Sequence, residues 1–450
     1  MQMAFSPKKL AGNALWTVMT YGVSVVVRFI VNVILTRLVR PEVMGAMMVI
    51  NTLKIGTELI TDVGIGQNIV TNPNGEKREF RNTAWTLQVV RACLLFIILS
   101  MAAYPLAQLY GIAPPELQVS ALTFLMGGLA STSLFYLQRR MQVIRSNLFE
   151  LSMDLIGSVI LVVFTFLHPN IWGMIVAVLV STALRVAATY LLPDARNWFA
   201  FHATYARQIF SFGKWIFLSS LLSFLSFNFD KLFLAQALPL AMVGVYSIAR
   251  SIADLPTIGI ARLGHQLVFP LISRHNAQDR SELRAQLAPL RLKLLLLVGL
   301  GVALGVSFGD VAIGIVYDDR YSDAGWILSL LMFSVWVAVL CVINDYTLLG
   351  LHKPVYSMFG NLLKLVSLVV AMSLAADTYG LPGLLVTIIL GEVLRYAPTL
   401  VGLRREKLSF LAQDMAVTGA MCVLIGLLLF LRHKWGMGLP FDAIFAVAGQ

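Results

Sequence analysis

The sequence predicts an all-α integral membrane protein with about 12–14 transmembrane helices in two pseudo-symmetric six-helix lobes, its N-terminus cytoplasmic. Three observations predict this fold class. The 450 residues are 58% hydrophobic and 13% charged, with a mean hydropathy of +0.80, whereas soluble domains are roughly 45–50% apolar and about 25% charged. The apolar runs are about 20 residues long, as spanning helices require. Finally, one pair of runs recurs later in the chain.

The apolar runs follow one another with short connections, which is typical of helices and not of alternating strands. The final stretch, residues 435–450, is too short and interrupted to predict as a full span, and a partial or interfacial helix stays open there. The predicted spans are residues 12–36, 43–70, 83–109, 117–137, 149–167, 171–192, 209–236, 241–272, 287–309, 325–350, 355–375, 380–402 and 411–431.

The basic residues predict the orientation of these spans. With the N-terminus inside, about 17 Lys and Arg fall in inner connections and about 5 in outer ones, which follows the positive-inside rule. The net charge of +11 is therefore mostly a feature of topology and gives no reason to expect nucleic acid as a partner. Lys8 and Lys9 precede a run too long for a signal peptide, so we expect the first helix to be retained.

An internal repeat predicts the lobes. A shift of 199 residues places TRLVRPEVMGAMMV (36–49) on AQALPLAMVGVYSI (235–248), with Gly45 on Gly244. Six spans separate the copies, so both enter the membrane in the same direction, as in transporters built from parallel repeats. We predict an N-terminal lobe at 1–208, a C-terminal lobe at 209–408 and one or more extra helices at 409–450.

The eighth predicted span contains residues that lipid does not tolerate. A charge at the centre of a membrane helix costs at least a few kcal/mol unless it faces a partner or a watery cavity. We interpret Arg250 and Arg262 as candidate anion ligands, Asp254 as a candidate proton- or ion-coupling residue, and Pro256 as a candidate hinge. The polar or helix-bending residues of this span are Arg250, Asp254, Pro256, Arg262 and His265.

The first two spans carry a similar set of charges. Arg28 lies in the first span, and Lys54, Glu58 and Asp62 share a face of the second. Because deep cations outnumber deep carboxylates in these regions, we expect a cavity that attracts anions, for which an arginine fork or a lysine is suited. Glu58 and Asp62 are candidates for proton or ion coupling, although compensation of the neighbouring cations explains them equally well.

Other ionisable residues have simpler explanations. We expect Arg91, Arg185 and Asp414, which lie near predicted span ends, to reach the interface by snorkelling. Glu392 and Arg395 are close enough in sequence to form a buried structural pair.

The sequence predicts no catalytic residues, no metal site and no cofactor. It contains no phosphate-binding P-loop, no HExxH and no GxSxG motif, and its histidines and three cysteines lack metal-ligand spacing. The acidic loop YDDRYSDAG (317–325) offers Asp318 and Asp319 as weak candidates for a diphosphate–metal site. We therefore predict a transporter and not an enzyme.

Two long segments and one loop resemble a known family. They are NFDKLFLAQALPLAMVGVYSIARSIADLPTIGIARLGHQLVFPLISR (228–274), LTRLVRPEVMGAMMVINTLKIGTELITDVGIGQNIV (35–70) and DRYSDAGWIL (319–328). All three resemble the polysaccharide transporters, the Wzx-type flippases of O-antigen and exopolysaccharide repeat units, in the multidrug/oligosaccharidyl-lipid/polysaccharide (MOP) superfamily. The resemblance covers most of residues 10–405.

The resemblance implies a flippase that moves undecaprenyl-diphosphate-linked oligosaccharide repeat units across a bacterial cytoplasmic (inner) membrane by alternating access, for polysaccharide export. It implies that Arg28 and either Arg250 or Arg262 line a cationic central cavity, and the excess of deep cations leads us to expect Arg28, Lys54, Arg250 and Arg262 as ligands of the diphosphate. It also implies the lipid bilayer, a polymerase and a chain-length regulator as partners. Two alternatives stay open, namely a cation-coupled drug or small-molecule antiporter of the same superfamily and a membrane glycosyltransferase or polymerase that uses Asp318 and Asp319.

Overall fold

The computed structural model describes residues 7–60, 64–140, 142–194, 196–274 and 279–442. In these ranges every regular element is a helix. The α-helices are α1 Pro7–Leu38, α2 Pro41–Ile60, α3 Ile65–Thr71, α4 Arg78–Tyr110, α5 Pro114–Gly128, α6 Ser133–Arg139, α7 Val143–Leu167, α8 Ile171–Thr189, α9 Ala203–Ala237, α10 Leu240–Leu263, α11 Phe269–Arg274, α12 Arg280–Val316, α13 Ala324–Gly350, α14 Val355–Arg405 and α15 Leu411–Lys434.

The helical membrane fold is confirmed. Within the described ranges, nine helices are long and apolar enough to cross a membrane, and the bent pair α5–α6 is a tenth candidate. The remaining predicted spans coincide with α2, α9 and α10, which carry several of the charges discussed above. The predicted cytoplasmic N-terminus stays a prediction. Half of the stretch considered for a fourteenth helix, residues 443–450, lies outside the described residues.

The chain divides into two compact units. Unit 1 comprises Met1–Phe224 and Pro239–Ala241, and unit 2 comprises Leu225–Leu238 and Met242–Gln450. The lobe boundaries predicted at residues 208 and 408 stay predictions.

In unit 1, two predicted spans are interrupted. The second span ends as α2 at Ile60, and α3 begins only after Gly64, whose φ of 61° lies in the left-handed region that glycine adopts without strain. The fourth span is divided into α5 and α6, which are bent by 54° at the break between them. Two seven-residue helices, α3 and α6, thus follow breaks and pack against each other.

The break before α6 is a hydrogen-bonded structure. The Ser131 amide donates to the Thr189 hydroxyl at 2.9 Å, and the Thr132 amide donates to Asn197 Oδ1 at 3.1 Å. The Asn197 side-chain amide in turn donates to the Thr132 hydroxyl at 2.9 Å. Because these partners replace the helical hydrogen bonds lost at the break, the bend leaves these main-chain amides satisfied within the membrane protein.

Unit 2 contains two irregular helices. The long helix α14 is broken at Gly380, whose φ of 54° and ψ of −149° end one span and begin the next. Helix α10 runs through Pro256 without a break, and its regular hydrogen bonding ends instead at a π-helical turn, Gly264–Val268, which leads into α11. The eighth predicted span is therefore two α-helical pieces joined by a π-turn, while the hinge role of Pro256 stays a prediction.

Candidate functional site

Unit 1 contains a cavity of about 1100 Å³. Its walls come from α2, α3, α4, α5, α6 and α8, so the two short helices after the breaks help to enclose it. The lining combines apolar side chains with polar ones that offer both hydrogen-bond donors and acceptors. Those polar residues include Gln67, Gln88, Ser131, Gln138, Thr182 and Thr189.

Cations outnumber carboxylates among the residues that line this cavity. Lys54, Arg91 and Arg185 line it, and Glu58 is its one carboxylate within the described ranges. Arg91 donates a hydrogen bond of 2.6 Å to the main-chain carbonyl of Glu58. No described carboxylate lies within 4.0 Å of the Lys54 ammonium. The cavity therefore has a net positive lining in a part of the chain that hydrophobic helices surround, where a cation attracts anions strongly.

Arg185 connects the cavity to a line of ion pairs at its side. It contacts Glu150 on α7 and lies 4.0 Å from the Asp154 carboxylate. Asp154 also accepts hydrogen bonds from Arg28 at 2.8 Å and from the Ser24 hydroxyl at 3.2 Å. Charges of alternating sign thus link α1, α7 and α8, and Arg28 itself is not one of the residues that line the cavity.

In unit 2, Arg250 on α10 is held by two carboxylates. It lies 3.3 Å from Asp230 on α9 and 3.0 Å from Asp254, one turn further along α10. Asp230 is almost completely buried and also accepts a hydrogen bond of 2.6 Å from the Tyr246 hydroxyl. Asp254, with a third of its side chain exposed, is the more accessible partner. Arg262, at the end of α10, is exposed.

A second buried network in unit 2 connects α13 with both halves of α14. The Lys364 ammonium lies 2.5 Å from Glu392, which also pairs with Arg395 at 3.2 Å, and Arg395 contacts Asp345 at 2.6 Å. The Phe227 ring lies 4.7 Å from both cationic groups. The pair predicted between Glu392 and Arg395 is confirmed. Its members form ion pairs with one another, which is how charges persist inside a membrane helix bundle.

The extra helix α15 is joined to α12 by buried ion pairs. Arg291 donates two hydrogen bonds from one nitrogen to the two oxygens of Asp414, at 2.8 and 2.9 Å, and the Tyr396 hydroxyl donates a third at 2.7 Å. At the other end of α15, Arg432 pairs with Asp310. The expectation that Asp414 snorkels to the interface is wrong, because its side chain is buried against Arg291.

The sequence-derived candidates are thus distributed over both units. Lys54 and Glu58 line the unit 1 cavity, and Arg28 is paired beside it. Arg250 and Asp254 pair with each other in unit 2, while Asp62 lies outside the described residues. Sequence reasoning missed Arg91 and Arg185 as cavity residues because their positions near predicted span ends favoured snorkelling.

Comparison with known proteins gives the family. Residues 34–325 match the family model described as polysaccharide biosynthesis protein. The chain belongs to this family. The succinoglycan biosynthesis transport protein ExoT of Rhizobium meliloti (strain 1021) is 24% identical over 342 residues, which are 74% of this chain and 68% of the relative. The resemblance drawn from the sequence is thereby confirmed at the level of the family.

Solved structures confirm the fold. This member of the polysaccharide biosynthesis protein family superposes on the lipid II flippase MurJ in an inward closed conformation with a TM-score of 0.74 and 11% identity, over 92% of each chain. An inward-facing multidrug resistance MATE family transporter of the MOP superfamily gives 0.65 and 15% identity, over 88% of this chain and 95% of that one. The relative ExoT is named as a transport protein, in agreement with the prediction of a transporter and not an enzyme.

Proposed function

We propose that this multi-pass membrane protein is a flippase that moves undecaprenyl-diphosphate-linked oligosaccharide repeat units across the bacterial cytoplasmic membrane. The observation that carries the proposal is the unit 1 cavity, whose lining contains three cations and one carboxylate among the described residues. A cationic cavity inside an apolar helical unit needs an anion to balance it, and a diphosphate is the anionic part of such a lipid-linked sugar.

Lys54 and Arg91 are the residues that we propose hold the diphosphate. Arg185 already faces Glu150, whereas no described carboxylate lies within 4.0 Å of Lys54, and Arg91 lines the same cavity. The planar fork of arginine donates parallel hydrogen bonds to phosphate oxygens, and lysine adds a compact charge. Both side chains therefore offer charge-assisted hydrogen bonds to an incoming phosphate.

The size and polarity of the cavity suit the sugar end of the substrate. Its volume of about 1100 Å³ is slightly above the range of ordinary ligand pockets, which is roughly 300–1,000 Å³. Amide and hydroxyl side chains such as Gln67, Gln88 and Thr182 match the hydroxyl groups of a saccharide. The polyprenyl tail, which is as apolar as the lipid, stays in the bilayer.

Two other predicted ligands, Arg28 and Arg250, are already paired with carboxylates, and we propose that they exchange these carboxylates for phosphate. Arg28 is paired with one carboxylate and Arg250 with two, so a bound phosphate would displace Asp154 from Arg28 or the more accessible Asp254 from Arg250. Such an exchange would couple substrate binding to helix movement, because each pair joins or stiffens helices. The alternating-access proposal also includes three sequence predictions. They are Arg262 as an anion ligand, Asp62 as a proton- or ion-coupling residue and Pro256 as a hinge.

The two alternatives have less support. A cation-coupled drug antiporter needs acidic groups to receive a cationic substrate, and the unit 1 cavity has the opposite polarity. An enzyme that uses the outer loop needs free carboxylates. Asp318, however, pairs with Arg320 at 2.8 Å and caps the following turn by accepting from the Arg320 amide at 3.0 Å.

The proposal is tested with the double variant Lys54→Ala/Arg91→Ala in a strain that lacks the chromosomal copy. Loss of two charge-assisted hydrogen bonds, each about 1.5–3 kcal/mol, should lower polysaccharide export at least about tenfold. Undecaprenyl-diphosphate-linked repeat units should accumulate in the membrane fraction of the same cells.

The matched control is Arg40→Ala/Lys77→Ala, which removes two exposed positive charges from the same unit. Export should stay near the parent level in this control. Normal export in Lys54→Ala/Arg91→Ala, at a protein level equal to that of the control, would refute the proposed site. If cells with Lys54→Ala/Arg91→Ala accumulate a cationic drug and not lipid-linked sugar, the antiporter alternative is favoured.

A further inference from the structure

The α3–α6 pair encloses the end of the unit 1 cavity that we predict to be cytoplasmic. Residues of α3, including Gly66 and Gln67, and residues of α6, including Phe135 and Gln138, line the cavity at that end. The two helices are in close contact, because a Cβ atom added at Gly66 would lie 2.5 Å from the Phe135 ring. This end of the cavity is therefore bounded by two short helices and not by continuous spans.

One guanidinium joins these helices. Arg139, the last residue of α6, donates from a single nitrogen to the carbonyl oxygens of Ile69, Val70 and Asn72, at 3.0, 2.9 and 2.6 Å. These are carbonyls at the C-terminal end of α3, which have no partner within their own helix and carry partial negative charge. Arg139 thus supplies the C-terminal cap of α3 from the neighbouring helix.

The loop after α3 packs closely around the Arg139 guanidinium. A Cβ atom at Gly75 would lie 2.1 Å from the Ile69 carbonyl oxygen and 2.7 Å from the Arg139 guanidinium. The side-chain amides of Asn72 and Asn74 both donate to Gln208 Oε1 at 3.3 Å. The loop after α3 is therefore folded tightly around the arginine, and position 75 has no room for a side chain.

The two helices differ in how they are held. Helix α3 is fixed by an apolar cluster, in which Ile65 and Ile69 pack with Phe80, Ala84 and Ile209 of α4 and α9. Helix α6 packs against the same cluster through Phe135, and it is also anchored by cations, because the Tyr136 ring lies 4.2 Å from Arg81 and 4.4 Å from Arg140. Cation contacts at such sites are worth only about 0.5–2 kcal/mol each, and water can replace them when they open.

We propose that α6 is the inner gate of the unit 1 cavity and that Arg139 is its latch, a positioning residue that acts through α3. With the latch closed, α6 stays against α3. When Arg139 leaves the α3 carbonyls, α6 swings about the break at residues 129–132 and the cavity opens toward the cytoplasm. The proposal rests on the proposed function, since it describes how substrate reaches the same site, but its main test needs no substrate.

The test measures access to the cavity from the predicted cytoplasmic side. A reporter cysteine replaces Thr182, a cavity-lining residue, after Cys93, Cys341 and Cys422 are changed to Ala. Inside-out vesicles are treated with a charged, membrane-impermeant maleimide, and the labelling rate is measured. Arg139→Gln, which removes the charge and the Nη1 group that contacts all three carbonyls, should raise the labelling rate severalfold.

Two further variants separate a latch from a purely structural role. Arg139→Lys keeps the charge but lacks the fork, so we expect labelling between the parent and Arg139→Gln. Arg145→Gln is the matched control, since Arg145 is exposed and bonds to the Gln142 side chain, and its labelling should equal the parent rate. An unchanged labelling rate in folded Arg139→Gln would overturn the latch.

Cross-linking tests the gate directly. Cysteines at positions 66 and 135, introduced without the reporter cysteine and joined through disulfide bonds by a short bis-methanethiosulfonate reagent, should stop polysaccharide export, and reduction of these disulfides should restore it. Full export in the cross-linked protein would overturn the gate and leave the diphosphate site standing. Conversely, if the Arg139 variants change the labelling rate as expected while Lys54→Ala/Arg91→Ala exports normally, the proposed diphosphate site is refuted and the gate stands.

Discussion

Asp154 on α7 lies between two arginines, at 2.8 Å from Arg28 on α1 and 4.0 Å from Arg185 on α8. Arg28 is largely exposed, with 65% of its side chain accessible, whereas Asp154 is 23% accessible. A carboxylate in this position neutralises one arginine at the side of the cavity and one that lines it. Arg28 can therefore act as a substrate ligand only if its ion pair with Asp154 opens, and it is otherwise a structural partner of that carboxylate.

A double-mutant cycle distinguishes these two roles. Asp154→Asn leaves Arg28 and Arg185 with less negative charge, so we expect it to lower both the protein level and export. If Arg28 mainly balances Asp154, the variant Arg28→Gln/Asp154→Asn should export more than Asp154→Asn alone. Equal losses in Arg28→Gln and in the double variant would instead identify Arg28 as a ligand of the substrate. Export and membrane protein level are measured in parallel.

Glu58 is the carboxylate that we expect to couple transport to pH. It lines the cavity beside two cations, and protonation at low pH makes the lining more positive and more attractive to a diphosphate. Glu58→Gln imitates the protonated form, so transport at high pH should rise toward the rate at low pH, and the pH profile should flatten. Glu42→Gln, an exposed position in the first turn of the same helix, is the control. A parental pH profile in Glu58→Gln would exclude coupling through this residue.

Two adjacent glycines at the end of α5 offer a matched test of helix packing. A Cβ atom at Gly128 would lie 2.2 Å from Ala92 Cβ on α4, whereas one at Gly127 meets nothing within 4 Å. Gly128→Ala should therefore reduce stability by about 1–3 kcal/mol through overpacking. Gly127→Ala should be neutral or slightly stabilising, because alanine favours the helix. The comparison uses thermal unfolding of the two purified variants, and equal midpoints would contradict the close α4–α5 contact.

The spans were predictable because hydropathy is a local property of the sequence. Each predicted run coincides with a helix or a bent pair, from α1 at Pro7–Leu38 to α15 at Leu411–Lys434. The breaks were not predicted, since Gly64 and residues 129–132 lie inside runs that remain apolar on average. The hydrogen bonds that stabilise the second break come from Thr189 and Asn197, which are remote in sequence.

The candidate site was predictable only in part, for a related reason. Unusual charges such as Lys54 and Arg250 stand out in an apolar run, whereas their partners depend on which helices become neighbours. Arg28 and Asp154 are 126 residues apart, and Arg291 and Asp414 are 123 apart. Composition identifies the charges, but only the packing of the helices decides which are neutralised and which remain available to a ligand.

The Arg291–Asp414 pair cannot form until α15 has been synthesised. Arg291 is synthesised as part of α12, but its carboxylate partner lies in α15, 123 residues later in the chain. Until α15 has been synthesised, Arg291 remains in α12 without that partner, and Arg432 and Asp310 are likewise apart. Synthesis that stops before residue 411 would leave a membrane-inserted arginine without its counter-ion, a feature by which a quality-control protease can recognise an unfinished chain.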